Sequence, residues 1–229
     1  MIPLYNLIIS VSELVYTFSI AALMSMLIKK GKVAQLTSRK IIHLWLGGLI
    51  VFWFLYKPAY GMEYFLVTPL AWIAIMLYAF FSRSNHADLV KVFARRNDIN
   101  EVIFGPLLFI SMFVIFTIVA FRSLAGVAAL SAMVFGDGVA PIIGAHAKKH
   151  HFNNKKSVVG SISVFIAALI SISIFGVVFF TGLGTKFYII AALVSAIAAV
   201  AEAITPQNYD NLTVPVAVYI SFFILALII

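Results

Sequence analysis

The stretch LSAMVFGDGVAPIIGAHAKKHHFNNKKSVVGS, residues 130–161, joins an apolar run to a basic segment and then to the start of a second apolar run. Asp137 lies inside the first run, between two glycines, and no opposite charge is close to it in sequence. A carboxylate within a membrane segment is expensive and usually functional. The stretch therefore predicts membrane helices that meet a basic surface, with a functional acid near one helix end.

The composition of the whole chain is that of a polytopic membrane protein. Its 229 residues are 63% hydrophobic and 10% charged, and its mean hydropathy is +1.10, far from the values of soluble domains. The absence of cysteine excludes a disulfide, a thiol nucleophile and a cysteine zinc site. In a membrane protein a net charge of +8 indicates anionic headgroups or a phosphorylated substrate more than a nucleic acid.

Eight apolar segments are long enough to cross a bilayer, which requires about 20 residues for each helix. The fourth and fifth are separated only by residues 121–123, which predicts a tight hairpin or one short or re-entrant segment. We therefore expect an all-α polytopic membrane protein of about eight transmembrane helices, folded as a single domain over residues 1–229. The predicted spans are approximately 3–28, 41–57, 64–81, 102–121, 123–144, 158–182, 187–205 and 212–229.

The basic residues predict the orientation of these spans. Thirteen of the 16 lysines and arginines fall in the connections after the first, third and fifth spans, which share one side of the membrane under this topology. By the positive-inside rule that side is cytoplasmic, and both termini lie on the non-cytoplasmic side. The connection 82–101 mixes charges with apolar residues, which predicts a short amphipathic helix at the same surface.

Four acids approach the membrane from this predicted cytoplasmic side. At about 1.5 Å per residue, Asp137 lies roughly 21 Å along the fifth span and Glu202 roughly 22 Å along the seventh. Glu101 begins the fourth span at this face, and Asp210 begins the eighth. Carboxylates without cysteine favour Mg²⁺, which completes its shell with water and phosphate oxygens. Glu13, inside the first span, has either a functional role or a polar partner on another helix.

Two basic segments predict the phosphate side of the same site. NNKKSVVGS, residues 153–161, places two lysines and two hydroxyls at the start of the sixth span, and SRKIIH, residues 38–43, places a serine, an arginine, a lysine and a histidine at the start of the second. Helix N-termini beside ammonium groups suit a polyphosphate. Gly136, Gly138 and Pro141 loosen the helix around Asp137, which leaves room for a ligand unless the glycines serve helix packing. The loop histidines His146, His150 and His151 are interpreted as solvated.

The order of four motifs resembles the polyprenol kinase family, which contains dolichol kinases, phytol kinases and CTP-dependent diacylglycerol kinases of fungi. The motifs are SRKIIHLWLGG, MVFGDGVAPIIG, KKSVVGSISVF and AEAITPQNYDNLTVP, and they span most of the chain. The long N-terminal membrane extension of dolichol kinases is missing, so the chain looks more like phytol kinases. The motif positions are Arg39, Lys40, His43, Gly136, Asp137, Gly138, Gly144, Lys156, Ser157, Gly160, Ser161, Glu202, Asp210, Asn211 and Pro215.

The resemblance implies an integral membrane enzyme that transfers a phosphoryl group, in many members from CTP, to a lipid alcohol. We expect CTP or ATP, Mg²⁺, a lipid alcohol of the isoprenoid type and the bilayer as its partners, and no nucleic acid. The expected location is a cell or endoplasmic-reticulum-type membrane with the active site facing the cytoplasm. Competing hypotheses are a CTP-dependent cytidylyltransferase, which makes a CDP-lipid, and a membrane transporter.

The residue patterns and the family resemblance together assign the site residues. Asp137 with Glu202 or Asp210 would hold Mg²⁺, basic side chains would cover the remaining phosphate charge, and Asp137 or His43 would accept the alcohol proton. The predicted catalytic residues are Asp137, His43 and Glu202, and the predicted metal ligands are Asp137, Glu202, Asp210 and Glu101. The predicted nucleotide- and phosphate-binding residues are Arg39, Lys40, Gly136, Gly138, Lys155, Lys156, Ser157, Gly160, Ser161 and Asn211.

Overall fold

The computed structural model describes residues 4–82, 103–144, 156–206 and 209–229. Within these ranges, seven helical segments are long and apolar enough to cross a membrane, and an eighth apolar helix, Gly105–Ala120, is shorter. The prediction of an all-α polytopic membrane protein is therefore confirmed, and the fourth predicted span is the short one. The predicted orientation stays a prediction. Apart from Ser82, the segment 82–101 that was predicted to be amphipathic lies outside the described residues, and so do the three loop histidines.

The chain folds as two compact units, Met1–Phe121 and Arg122–Ile229. The single domain that we expected over the whole chain stays a prediction.

Within residues 4–82 and 103–121, the described part of the first unit contains five α-helices and two irregular turns. The second span begins at Gln35 and not near residue 41, so the basic motif around Arg39 lies inside a helix. A 3₁₀ turn at Leu46–Gly48 divides this span, and a π-helical turn at Ile103–Leu107 opens the short fourth helix. The helices are α1 (Leu4–Lys29), α2 (Gln35–Trp45), α3 (Leu49–Leu55), α4 (Gly61–Ser82) and α5 (Leu108–Ala120).

From Asn6 to Thr17 the buried face of α1 is polar, while most of the exposed side chains of this helix are apolar. Asn6, Ser10, Glu13 and Thr17 recur at helical spacing and are all buried, whereas residues such as Ile8 are exposed. Each polar side chain finds a partner near α3 or α4, because an unsatisfied polar group in hydrocarbon costs several kcal/mol.

The partners of this face are backbone carbonyls and neutral side chains. Asn6 Nδ2 donates to the carbonyl of Ala59 at 2.9 Å, and Trp72 Nε1 donates to Thr17 Oγ1 at 3.0 Å. The Tyr56 hydroxyl hydrogen-bonds the Glu13 carboxyl group. Of the two hypotheses for Glu13, the structure shows the second, a polar partner on another element.

The second unit is built around one mostly buried span. That span consists of α6 (Leu124–Ser131), a π-helical segment at Ala132–Asp137 and α7 (Gly138–Gly144). Alanine and glycine dominate α6, and small residues allow membrane helices to approach closely. Three longer helices pack around it: α8 (Val158–Phe179), α9 (Thr185–Ile204) and α10 (Asp210–Ile228).

Local signals fix the helix ends in this unit. The Ser157 hydroxyl caps α8 by accepting from the Gly160 N–H at 3.0 Å, and Ser123 caps α6 by accepting from the Gly126 N–H at 3.0 Å. These are standard N-cap contacts, which satisfy backbone donors that have no partner within the helix. The end of α9 and the start of α10 are joined by the short connection 205–209, so the two ends lie close together.

Candidate active site

The second unit gathers acids and one lysine at the ends of three helices. Lys156 lies just before α8, Glu202 lies in the last turn of α9, and Asp210 is the first residue of α10. Their side chains are 8%, 6% and 10% exposed, respectively. Charged residues this buried are rare unless they are paired, and these three are paired with one another.

The Lys156 ammonium group is the centre of this cluster. Its Nζ lies 3.0 Å from Glu202 Oε1 and 3.5 Å from Asp210 Oδ2. It also donates to the backbone carbonyl of Glu202 at 2.5 Å. Three contacts match the three N–H bonds of an ammonium group. Lys156 thus ties the start of α8 to the end of α9 and the start of α10.

The other carboxylate oxygens of the cluster are held by neighbouring groups. Ser161 Oγ donates to Glu202 Oε2 at 3.4 Å, and the Asn211 N–H donates to Asp210 Oδ1 at 3.1 Å. Each carboxylate is therefore oriented through both of its oxygens. One ammonium group facing two carboxylates leaves an excess of negative charge when all three are ionised, which suits a cationic ligand.

Asp137 is the last residue of the π-helical segment and is also buried. That segment packs against α8, α9 and α10. π-helical turns inside α-helices are rare overall, and those that do occur are often found at functional sites. The distortion of the backbone at Asp137 agrees with the expectation that the helix is loosened there.

The glycines near Asp137 serve close helix packing. A Cβ on Gly136 would lie 3.1 Å from Val164 Cγ1 of α8. A Cβ on Gly144 would lie 2.9 Å from Ser157 Oγ, and one on Gly160 would lie 3.5 Å from the carbonyl of Ala140. Gly138 begins α7 and is buried. At position 136, close packing against α8 therefore explains why the residue is glycine. A role of Gly136 in binding a ligand stays a prediction.

The donor set of this unit fits Mg²⁺ that arrives with a phosphorylated ligand. Among the described residues, no group of three or more histidines or acids is arranged to hold a metal ion. Mg²⁺ usually takes one or two carboxylates and completes its octahedral shell with water and phosphate oxygens. Asp137, Glu202 and Asp210 offer such oxygens, whereas an all-protein cage is absent from this part of the chain. The predicted ligand Glu101 lies outside the described residues, as does Lys155.

The first unit holds the other predicted site residues on α2. Arg39, Lys40 and His43 are all buried, and the His43 ring lies 4.3 Å from the ring of Phe109 between centroids. The Arg39 guanidinium group lies over Gly105 in the π-helical turn. Sequence reasoning missed Gly105. The signal was the FGP triplet at the start of a span, because glycine and proline side by side disturb a regular helix.

Comparison with curated proteins identifies relatives of this chain. It is 32% identical over 207 residues to a probable phytol kinase 1, chloroplastic, from Oryza sativa subsp. japonica, covering 84% of this chain and 65% of the relative. For a probable phytol kinase, chloroplastic, from Zea mays the identity is 31% over 222 residues, covering 91% and 73%. For phytol kinase 1, chloroplastic, from Arabidopsis thaliana it is 33% over 215 residues, covering 86% and 70%.

No protein-family profile matches the chain, and no solved structure matches it significantly. The plant relatives confirm the resemblance that the four motifs indicated. They share about a third of their residues with this chain across most of its length, and they are named as kinases of an isoprenoid alcohol. The chain therefore belongs to the phytol kinase family, whose members are phosphotransferases that act on an alcohol group.

Proposed function

We propose that this chain transfers the γ-phosphoryl group of a nucleoside triphosphate to the terminal hydroxyl of an isoprenoid alcohol of the phytol type. The reaction requires Mg²⁺, takes place at the cytoplasmic face of the membrane and uses CTP as donor; the preference for CTP rests on the resemblance. The observation that carries the proposal is the buried cluster of Lys156, Glu202 and Asp210 at three helix ends. Buried charges of this kind mark the sites of membrane enzymes and transporters.

The reaction forms a bond between the alcohol oxygen and the γ-phosphorus, and it breaks the bond from that phosphorus to the β,γ-bridging oxygen. The alcohol proton leaves to a base, and the nucleoside diphosphate departs with the bridging oxygen. Catalysis of such transfers consists of positioning and of neutralising charge on the phosphoryl oxygens. Bound Mg²⁺ would supply charge neutralisation across the phosphates.

In this proposal the residues of the second unit divide the work. Asp137, with Glu202 or Asp210, would hold the metal through carboxylate oxygens, and Lys156 places a positive charge between the two helix-end acids. Ser157 and the first N–H groups of α8 offer donors to phosphate oxygens. Asp137 also accepts the alcohol proton. The role of His43 as a base and the phosphate-binding roles of Arg39 and Lys40 stay predictions.

The membrane location of the site suits the acceptor. Large apolar side chains on α8, including Ile162, Ile166 and Ile170, are exposed and form a lipid-facing surface that begins at the turn after Lys156. An isoprenoid tail dissolved in the bilayer brings its hydroxyl to the polar boundary, where the helix-end cluster lies in the predicted topology.

One experiment tests the proposal directly. Purified protein is incubated with Mg²⁺, with γ-labelled or α-labelled CTP or ATP, and with phytol, geranylgeraniol, dolichol, diacylglycerol or a lipid phosphate. Transfer of the γ-label to phytol or geranylgeraniol supports the kinase. Transfer of the α-label to a lipid phosphate, with pyrophosphate released, identifies a cytidylyltransferase and overturns the proposal. Uptake of solute into proteoliposomes without hydrolysis of nucleotide identifies a transporter.

A further inference from the structure

A pair of threonine hydroxyls joins the two helix ends that carry the acids of the second unit. Thr205 directly follows α9, and Thr213 lies in the first turn of α10. Their Oγ1 atoms are 2.8 Å apart, which is the usual length of a hydrogen bond between two hydroxyl groups. Each threonine also comes three residues after an acid, Thr205 after Glu202 and Thr213 after Asp210. The pair therefore spans the same connection as the two carboxylates.

The neighbouring contacts give this hydrogen bond a direction. Thr205 Oγ1 donates to the carbonyl of Ala201 at 2.6 Å. Because a hydroxyl group has a single hydrogen to donate, the bond between the two threonines is donated by Thr213. The other contact of Thr213 Oγ1, to the carbonyl of Tyr209, is longer at 3.2 Å. A chain of hydrogen bonds thus runs from α10 through Thr205 into the last turn of α9, and consecutive bonds of this kind polarise one another.

The last turn of α9 is held at two successive carbonyls. The final four carbonyls of a helix have no partner within it. Thr205 contacts the carbonyl of Ala201 through both its N–H and its hydroxyl, and the Lys156 ammonium group donates to the carbonyl of Glu202 at 2.5 Å. These contacts fix the backbone that carries Glu202.

Asp210 is held less closely than Glu202 by the same ammonium group. Lys156 Nζ lies 3.5 Å from Asp210 Oδ2 but 3.0 Å from Glu202 Oε1, and 3.5 Å is beyond the usual range of a hydrogen bond. The threonine bond is shorter, and it ties the first turn of α10 directly to the end of α9. It is therefore a second and closer tie on the segment that begins with Asp210.

We propose that Thr205 and Thr213 are positioning residues for the metal, acting through Asp210. Their hydrogen bond keeps the Asp210 carboxylate beside that of Glu202, where it would supply an oxygen to Mg²⁺. This inference rests on the proposed function, because the ligand is a divalent cation that arrives with a nucleoside triphosphate. In this arrangement neither hydroxyl touches the metal or a substrate.

The test measures metal affinity apart from turnover. The probe is Mn²⁺, which takes the same oxygen ligands as Mg²⁺, and the EPR signal of free Mn²⁺ is followed with a non-hydrolysable CTP or ATP analogue present. Thr213→Val removes the hydroxyl, keeps the branched shape and has nearly the same helix propensity. We expect the dissociation constant of Mn²⁺ to rise about three- to tenfold, the scale of one net hydrogen bond. The KM for phytol should stay unchanged.

Two further variants separate positioning from packing. Thr213→Ser keeps the hydroxyl and should bind Mn²⁺ as the wild type does. The matched control is Thr117→Val, because Thr117 Oγ1, like that of Thr205, donates to a carbonyl four residues earlier at 2.6 Å and contacts a second side chain, here Trp53. Thr117→Val should lower the melting temperature and leave the Mn²⁺ affinity unchanged. Equal losses of Mn²⁺ affinity in the two valine variants, or no rescue by Thr213→Ser, would overturn the inference.

A double variant shows whether the pair acts through Asp210. Asp210→Asn should weaken Mn²⁺ binding by itself, and adding Thr213→Val should then cause little further loss, because residues that act through one another are not additive. Additive losses would overturn the inference. Thr205→Val breaks the same bond from the α9 side, so if Thr213→Val does not fold, an unchanged Mn²⁺ affinity in Thr205→Val would overturn it as well.

The outcomes separate this inference from the proposed function. A wild-type protein that phosphorylates phytol, with Thr213→Val binding Mn²⁺ as tightly as the wild type, would refute the inference alone. A wild-type protein that binds Mn²⁺, loses affinity on Thr213→Val, regains it with Thr213→Ser and phosphorylates no alcohol would refute the proposed function alone.

Discussion

Buried polar groups occur in both units, but they are paired in different ways. On α1, Asn6, Ser10 and Thr17 exchange neutral hydrogen bonds with α4, with the turn before it or within α1, and Glu13 pairs with a tyrosine hydroxyl. In the second unit, Lys156 contacts two carboxylates at helix ends. Neutral bonds within a span stabilise helix packing, whereas excess charge at helix ends can be shared with a ligand. The position and net charge of a cluster therefore indicate function better than burial alone.

The largest effect is expected from Asp137→Asn. The change removes a charge but keeps the size of a side chain at the end of the π-helical segment. We expect phosphoryl transfer to fall about a hundred- to a thousandfold, which is the scale for losing one group that stabilises a transition state. The measurement is the rate of transfer of γ-label to phytol.

The control for this prediction is Glu63→Gln in the first turn of α4, where the side chain is exposed. It removes the same charge and should leave the rate unchanged. A fully active Asp137→Asn protein would remove Asp137 from the mechanism.

The next effect, on stability, is expected from Lys156→Met. The change leaves the carboxylates of Glu202 and Asp210 buried without their ammonium partner. Removing one partner of a buried ion pair typically costs about 3–5 kcal/mol of stability, so we expect a clear drop in the melting temperature.

The double variant Lys156→Met with Glu202→Gln should recover part of that loss, because residue 202 then carries no charge that lacks its ammonium partner. If the melting temperature of Lys156→Met equals that of the wild type, the cluster is not the tie between helix ends that the distances indicate.

A smaller effect is expected from Ser157→Ala, which removes the N-cap of α8. Loss of such a cap costs about 1 kcal/mol. Ser123→Ala removes the equivalent cap of α6, with the same donor distance of 3.0 Å, and is the matched control. Both variants should lose similar stability, and only Ser157→Ala should also weaken nucleotide binding. If the two variants bind nucleotide with equal affinity, Ser157 only caps α8 and does not bind the nucleotide.

The smallest effect is expected from Glu13→Gln. Glutamine keeps an oxygen that accepts the hydrogen bond from Tyr56, so the loss of stability should stay below about 1 kcal/mol, the net value of one hydrogen bond. The rate of transfer to phytol should be unchanged. A large loss of activity would place Glu13 among the functional acids and remove the contrast between the polar face of α1 and the Lys156 cluster.

The sequence predicted the convergence at the site in the second unit. Glu202 and Asp210 lie at adjacent ends of consecutive spans, so topology alone brings them together. Lys156 begins the span that precedes them, and the resemblance already grouped all three residues. That Lys156 contacts both acids depends on side-chain packing, which periodicity and spacing do not determine.

Other features of the fold were beyond sequence reasoning for a physical reason. The π-helical turns replace regular hydrogen bonds over five or six residues, and a hydropathy pattern does not respond to such local shifts. The partner of Glu13 lies 43 residues away in sequence, so only the packed helices reveal it. The start of α2 at Gln35 was missed because its first turns are polar, although they are helical.

The inverted polarity of α1 has a consequence for biosynthesis. The helix is made before α3 and α4, and the partners of Glu13 and Thr17 follow 43 and 55 residues later in the chain. Until α3 and α4 exist, the polar face of α1 lacks these partners. We therefore expect α1 to leave the insertion machinery together with α4, as a preassembled group, and not as an independent helix.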